Sequence, residues 1–373
     1  MDKYEHGGDI YSRNIKLDFS ANINPLGMSE GVIEALHRAV DSCKVYPDPL
    51  CRELCAKIGE KENVPTEFVL CGNGAADLIY RAVFAVMPKR ALLIAPTFSE
   101  YERALEAVGC DIDFFQLSEE NGFEMTEDIL SHINKDIDML FLCNPNNPTG
   151  NLIAPELLIR IADRCRETGT RLILDHSFIE FSERAAEYSS VELIVNGAVI
   201  INAFTKMYSI PGVRLGYMLC GDVEFMSRVR LSGQSWSVSI PAQAAGLAAL
   251  SEEDFVSRTV TYISREKRYI NEYMGKFPVI DIFPSEANFL LFKSEKPIEE
   301  ILQKYDIAIR SCKNFRGLGE NFYRMAVKSH EDNLKLIFIL RKELSDGSEA
   351  YDPGYHVERW EKLFLRGTLQ NLL

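Results

Sequence analysis

The sequence predicts an α/β fold, a mostly parallel sheet covered by helices, followed by a smaller α+β domain. Three observations carry this prediction. From Phe68 to Leu219 short apolar runs alternate with helical stretches, and strands apolar on both faces belong to parallel sheets sheltered on both sides. Beyond about residue 270 the rhythm changes to shorter strand-like runs and two helices, the pattern of an α+β unit. Several apolar runs also end in short turns rich in Gly, Pro, Asn and Asp, as at the carboxyl edge of an open α/β sheet, where ligands bind.

The length of 373 residues suits one large α/β unit or two domains. With 46% hydrophobic and 26% charged residues, the composition is that of an ordinary globular protein. A net charge of −14 argues against nucleic acid as a partner, because nothing here would neutralise a phosphate backbone. Nine cysteines, an odd count without a CxxC motif, point to free thiols in a reducing cytosol. No pair near Cys51 and Cys55 completes a zinc site, so no metal is expected. The acidic N-terminus lacks the apolar core of a signal peptide, and no run approaches the ~18 apolar residues of a membrane span. A cytoplasmic protein without a membrane partner is expected.

Taken in order, residues 1–30 form a turn-rich arm, with His6-Gly7-Gly8 and the segment Asp18 to Gly27. Ser29 is placed to cap a helix in which Val32, Ile33, Leu36 and Val40 recur at helical spacing. Tyr46-Pro47-Asp48-Pro49 breaks that helix, and a second one runs to about Glu62. Strands are predicted at Phe68–Cys71, Ala91–Ala95, Ile112–Leu117, Met139–Cys143, Arg171–Asp175, Ala198–Asn202 and Val213–Leu219. Helices fall near Ala75–Met87, Ser99–Val108, Thr126–Ile133 and Pro155–Thr168, and one helical region spans Ile240–Met274. This large domain covers residues 31–270. The small domain, 271–344, has strands near Asp281–Phe283, Asn288–Phe292, Ile307–Arg310 and Tyr323–Val327, with helices near Ile298–Lys304 and Glu331–Leu344. Residues 345–373, with an amphipathic piece at His356–Arg366, read as an appendage without assignable chemistry.

Chemistry concentrates after the strands. Lys206 follows an apolar run in what reads as a short polar turn, opening into Pro211-Gly212 rather than a helix, with Arg214 eight positions on. A lone lysine in a turn is ordinary surface charge; this one has company. The predicted strand ends also carry Gly72-Asn73-Gly74-Ala75, Asn144 to Gly150, and Asp175. A small-residue turn entering a helix offers free N–H groups to a phosphate. It lacks the spacing of a dinucleotide or P-loop motif, so the phosphate belongs to a compact cofactor that also meets an amine, a carboxylate and an asparagine.

Asn-x-Asn-Pro-Thr-Gly at Asn144, the strand-ending Asp175, and Thr205-Lys206 followed by Pro-Gly-x-Arg-x-Gly-Tyr resemble the fold-type I pyridoxal-phosphate enzymes over roughly His6 to Leu344. Within them the chain is similar to the histidinol-phosphate aminotransferase branch. It resembles most the threonine-phosphate decarboxylases of cobalamin biosynthesis, through His6-Gly7-Gly8, Asp18 to Gly27, Ile309 to Cys312 and Tyr323 to Ser329. The resemblance implies a seven-stranded sheet, pyridoxal 5'-phosphate as cofactor and a homodimer.

By the same resemblance Lys206 would bind the cofactor as an imine, and Asp175 would pair with its ring nitrogen. Asn147 would meet the ring oxygen and Phe98 the ring face. Gly74, Ala75, Thr205 and Arg214 would hold the phosphate, joined by Tyr46 of a second subunit. Arg324 would take the substrate carboxylate, with His6, Gly7, Asn22 and Arg310 at the substrate's own phosphate; both arginines are read as ending strands. Three positions depart from many relatives: Phe178 stands for a tyrosine, as in the decarboxylases, His176 for an acid, and Ala203 for a hydroxyl residue.

The leading expectation is decarboxylation of L-threonine O-3-phosphate. Transamination of histidinol phosphate or another phosphorylated amino compound would use the same residues, and serine phosphate differs from threonine phosphate by one methyl. A non-catalytic regulatory module is disfavoured by the presence of Lys206 and by the net charge.

Overall fold

A computed structural model describes residues 5–344 of the chain; the appendage expected at 345–373 lies outside the described residues. A two-residue strand in the arm, β1 (Leu17–Asp18), precedes the strands of the main sheet. These are β2 (Val69–Gly72), β3 (Arg90–Ala95), β4 (Asp111–Gln116), β5 (Met139–Cys143), β6 (Arg171–Asp175), β7 (Val199–Ala203) and β8 (Gly216–Leu219). They lie in the order β2-β8-β7-β6-β5-β3-β4. β8 runs antiparallel to β2 and β7, and every other neighbouring pair is parallel. Then come β9 (Ile280–Ile282), β10 (Phe289–Ser294), β11 (Ile307–Ala308), β12 (Arg310–Ser311) and β13 (Phe322–Ala326). Four of these form an antiparallel sheet in the order β12-β13-β10-β9, while β11 pairs in parallel with β1 of the arm.

The apolar runs become a two-sided sheet because successive side chains point to opposite faces. Leu140 and Leu142 of β5 join one buried cluster, whereas Met139, Phe141 and Cys143 join another. β3, β6 and β7 divide in the same way, with Leu92, Leu172 and Ile200 on one side and Leu93, Ile173 and Ile201 on the other. The first cluster continues from Phe19 and Leu54 through Phe204 to Phe289 and Leu336. Main sheet, arm and small sheet therefore share one core, and the carboxyl edge of the main sheet faces their meeting point.

The helices Glu30–Val40, Arg52–Glu62, Ala75–Val86, Ser99–Glu106 and Pro155–Thr168 form where the sequence places them. Ser29 caps the first, its Oγ accepting from the Val32 N–H. Its apolar stripe is only half used: Val32 is buried, but Ile33 and Val40 stay exposed. Four elements differ from expectation. Ile240–Met274 is two helices, Ile240–Leu250 and Phe255–Met274, because Ser251-Glu252-Glu253-Asp254 offers nothing to bury. The strand expected at Val213 starts only at Gly216, since Arg214 takes a φ of 61°, outside extended geometry. Thr126–Ile133 yields a single turn, Ile129–His132, and Ile307–Arg310 divides between two sheets. Helices at Ser190–Val195 and Val223–Leu231 were not anticipated; each opens with a side-chain cap, from Ser189 and Asp222.

All nine cysteines are free thiols, with only Cys43 exposed. Among the described residues no helix is long and apolar enough to cross a membrane, and no cluster of three or more His, Cys, Asp or Glu could hold a metal ion.

Candidate active site

Five strands deliver side chains to one edge. β7 ends at Ala203 and passes directly into one helical turn, Phe204–Met207, rather than the irregular turn expected. Tyr208 N–H closes it on Phe204 O at 3.1 Å, and Ser209, at a φ of 53°, ends it. The turn fixes Lys206 beside buried Thr205, and Lys206 Nζ makes no hydrogen bond among the described residues. Burial, then the positive fields of Arg324 and Arg214, push its pKa down to about 8, so free amine is available near neutrality. Asn24 braces the turn from the arm. Its N–H donates to Lys206 O at 3.2 Å, its Nδ2 to Met207 O at 2.7 Å and to Thr259 Oγ1 at 2.8 Å, and Ser209 Oγ donates to Asn24 O at 2.8 Å. In the sequence Asn24 stands only as one residue of the Asp18 to Gly27 segment; its bracing role rests on a contact across 183 positions.

On the neighbouring strand Asp175 is buried, and burial pushes its carboxyl above the usual carboxylate range. Two residues oppose this: Ser177, through its hydroxyl and through its N–H on Oδ1 at 2.9 Å, and Tyr101, whose hydroxyl donates to Oδ2 at 2.7 Å. Tyr101 escaped the sequence reading because a buried aromatic on a helix looks like core. His176 is buried, and desolvation alone lowers its pKa to about 3, so it adds no charge beside Asp175. Phe178 packs edge-on against Phe289 at 5.1 Å.

Beyond β5, Asn146 donates to Pro96 O and Thr149 Oγ1 and accepts from Thr97 Oγ1, tying this loop to the one after β3 that carries Phe98. Asn147 Oδ1 accepts from Arg324 Nη1 at 2.5 Å, which leaves its amide N–H groups as the free donors. After β2, Gly74 has a φ of 86°, and a β-carbon there would lie 2.6 Å from Arg214 Nη2. The Arg214 guanidinium thus lies over the turn that opens the helix at Ala75, a cationic cradle of the kind a phosphate needs.

Arg310 and Arg324 are both buried. They do not end strands, as expected: Arg324 sits in the middle of β13, and Arg310 opens β12 directly opposite it in register. Among the described residues neither has a carboxylate within salt-bridge distance. Arg324 donates to Asn147 and to Ser20 O at 2.8 Å, and its Nε–H is buried without a partner. Arg310 donates to Ser311 O, Glu5 O and Asn314 Oδ1. Gly7 is pressed on this floor, where a β-carbon would stand 2.2 Å from Ser20 O. Asn22 is buried with its Oδ1 unsatisfied. His6 instead bonds Glu100 through Nε2 at 2.7 Å. Tyr46 is exposed and stacks on Trp236 at 4.7 Å, not on any of these residues.

A model of the aminotransferase class I and II family matches residues 14–338. The threonine-phosphate decarboxylase of Salmonella typhimurium is 36% identical over 351 residues, 91% of this chain and 96% of that protein. Among solved structures, the histidinol-phosphate aminotransferase from Clostridium acetobutylicum has a TM-score of 0.82 at 30% identity, covering 88% of this chain and 98% of that one. The L-threonine-O-3-phosphate decarboxylase from Porphyromonas gingivalis has a TM-score of 0.76 at 25% identity, covering 88% and 99%.

The chain belongs to the aminotransferase class I and II family, and it is an enzyme of that pyridoxal-phosphate-dependent class. Its edge residues fit the cofactor the family implies. A free amine, a buried carboxylate held by two residues and a guanidinium over a glycine turn are the groups an aldehyde, a ring nitrogen and a phosphate require.

Proposed function

We propose that the chain decarboxylates L-threonine O-3-phosphate to (R)-1-aminopropan-2-yl phosphate in cobalamin biosynthesis. The observation that carries this reading is the Arg310–Arg324 pair: two buried guanidiniums on adjacent strands, without a carboxylate partner among the described residues. Burying unpaired cations is costly, and a ligand with two anionic groups relieves both. A phosphorylated α-amino acid carries such groups, one carboxylate and one phosphate. The similarity to two threonine-phosphate decarboxylases supports the same choice.

In this reading Arg324, already bonded to Asn147, grips the substrate carboxylate with its remaining N–H. Arg310 holds the substrate phosphate under the arm, where Asn22 and Gly7 lie; His6 reaches it from its Glu100 bond. Gly74, Ala75, Thr205 and Arg214 would hold the cofactor phosphate, Asp175 its ring nitrogen and Asn147 its ring oxygen. The bound cofactor supplies an electron sink for the pair released at Cα. Arg324 would set the carboxylate's orientation, and Lys206, mostly protonated below its pKa of about 8, would deliver that proton to Cα once carbon dioxide has left.

Transamination is the second reading, favoured by the histidinol-phosphate aminotransferase of similar structure. Supplying L-threonine O-3-phosphate to the loaded enzyme separates the two. Stoichiometric carbon dioxide supports the decarboxylase; an oxo-acid product and an aminated cofactor, without carbon dioxide, establish the aminotransferase.

A further inference from the structure

Phe98 and Tyr101 stand three positions apart at the start of the helix Ser99–Glu106 and so share one face. Their rings meet edge-to-face at 5.6 Å, and Tyr101 lies nearly parallel to Phe141 of β5 at 5.1 Å. Tyr101 is fully buried, so this aromatic stack fixes its hydroxyl in space. The hydroxyl points at Asp175 Oδ2, 2.7 Å away. The other groups around that carboxylate are the Ser177 N–H and hydroxyl, the Cys143 thiol of β5 and the Lys206 amine beyond β7. Tyr101 donates to it from 74 positions away in the chain, whereas the Ser177 donors are local to the strand end. Burial and the Asp175 charge hold the Tyr101 hydroxyl protonated far above its ordinary range, so it serves Asp175 as a permanent donor.

We propose that Tyr101 is a positioning residue for the cofactor ring, acting through Asp175: its hydroxyl fixes the carboxylate's orientation and keeps it ionised, and its ring sets the place of Phe98. The proposal rests on the cofactor reading above. It gives one rigid aromatic unit control over two contacts, the carboxylate at the ring nitrogen and the phenyl at the ring face.

Tyr101→Phe removes the hydroxyl and keeps the stack. Pyridoxal phosphate titrated into apo wild type and apo Y101F gives the affinity, and the visible absorbance of each loaded protein, followed against pH, gives the chromophore's midpoint. The expected result is binding on the order of 10-fold weaker, as for one hydrogen bond to a charged group. The midpoint should also move upward, because a more basic Asp175 draws the ring proton and leaves less positive charge near the amine. Repeating the substitution in an Asp175→Ala background should abolish both differences. A purely structural tyrosine would lower the thermal midpoint and leave the pH profile where it was. Wild-type affinity and an unmoved pH midpoint in Y101F would overturn the proposal while leaving the cofactor reading intact. A wild type that forms no chromophore would overturn the cofactor reading and this proposal together.

Discussion

At the scale of the residue, Asp175, Arg310 and Arg324 are charges buried where water does not compensate them. Lys206 shows the consequence for pH. Its folded pKa, about 8, lies below the value of an exposed lysine, so the unfolded chain binds more protons between the two. Stability of the cofactor-free protein therefore rises with pH through that window, and the penalty is fully present below pH 8. The rate of cofactor uptake should follow the free amine, climbing up to pH ~8 and levelling above it. Stopped-flow absorbance against pH checks this; a rise that continues to pH ~10 would mean the lysine is not desolvated. Arg324 leads to a second expectation. Lysine keeps the charge but not the planar fork that reaches Asn147, Ser20 O and a ligand at once. Arg324→Lys should lower kcat/KM on the order of 100-fold, with an unfolding curve close to wild type.

At the scale of the element, the site depends on backbones that approach closely. Gly216 opens β8 between β2 and β7, and a β-carbon there would stand 2.7 Å from Ala75 N and 2.9 Å from Asn202 O. Both obstacles are main chain and cannot turn aside. Gly216→Ala should cost roughly 1–3 kcal/mol, read as a lower urea midpoint at unchanged slope. It should also weaken cofactor binding, since Ala75 opens the helix proposed to hold the cofactor phosphate. A variant as stable as wild type would show that β8 can shift, contrary to its pairing with both neighbours.

At the scale of the whole molecule, the exposed apolar residues carry the meaning. Ile33, Val40, Val45, Tyr46 and Trp236 are all exposed, and Tyr46 meets none of the site residues in its own chain. We propose a homodimer in which this surface is covered and Tyr46 reaches the partner's cofactor phosphate. Subunit mixing is the check. Lys206→Ala and Tyr46→Ala proteins, each inactive alone, should recover about a quarter of wild-type activity when co-refolded, because half the dimers then hold one intact site. No recovery, with heterodimers present, would confine Tyr46 to its own subunit.

Much of this was legible in the residues. β5, β6 and the helix Pro155–Thr168 begin and end where their patterns do, and Lys206, Asp175, Gly74 and Asn147 stand on one edge. Local patterns suffice there because buried parallel strands must be apolar on both faces, and because a turn's residue types reflect its own backbone. Contacts made across long stretches of chain were not legible. Tyr101 on Asp175, Asn24 on the Lys206 turn and Glu100 on His6 join residues 74, 183 and 94 positions apart. The division of Ile307–Arg310 between two sheets was decided by strands far away, β1 and β13. By itself, then, the sequence determined the fold class, the carboxyl ends of the parallel strands and the chemical groups available. Tertiary structure alone decided which of those groups are buried, oriented and left without a counter-charge, because burial and pairing depend on neighbours that chain order does not name.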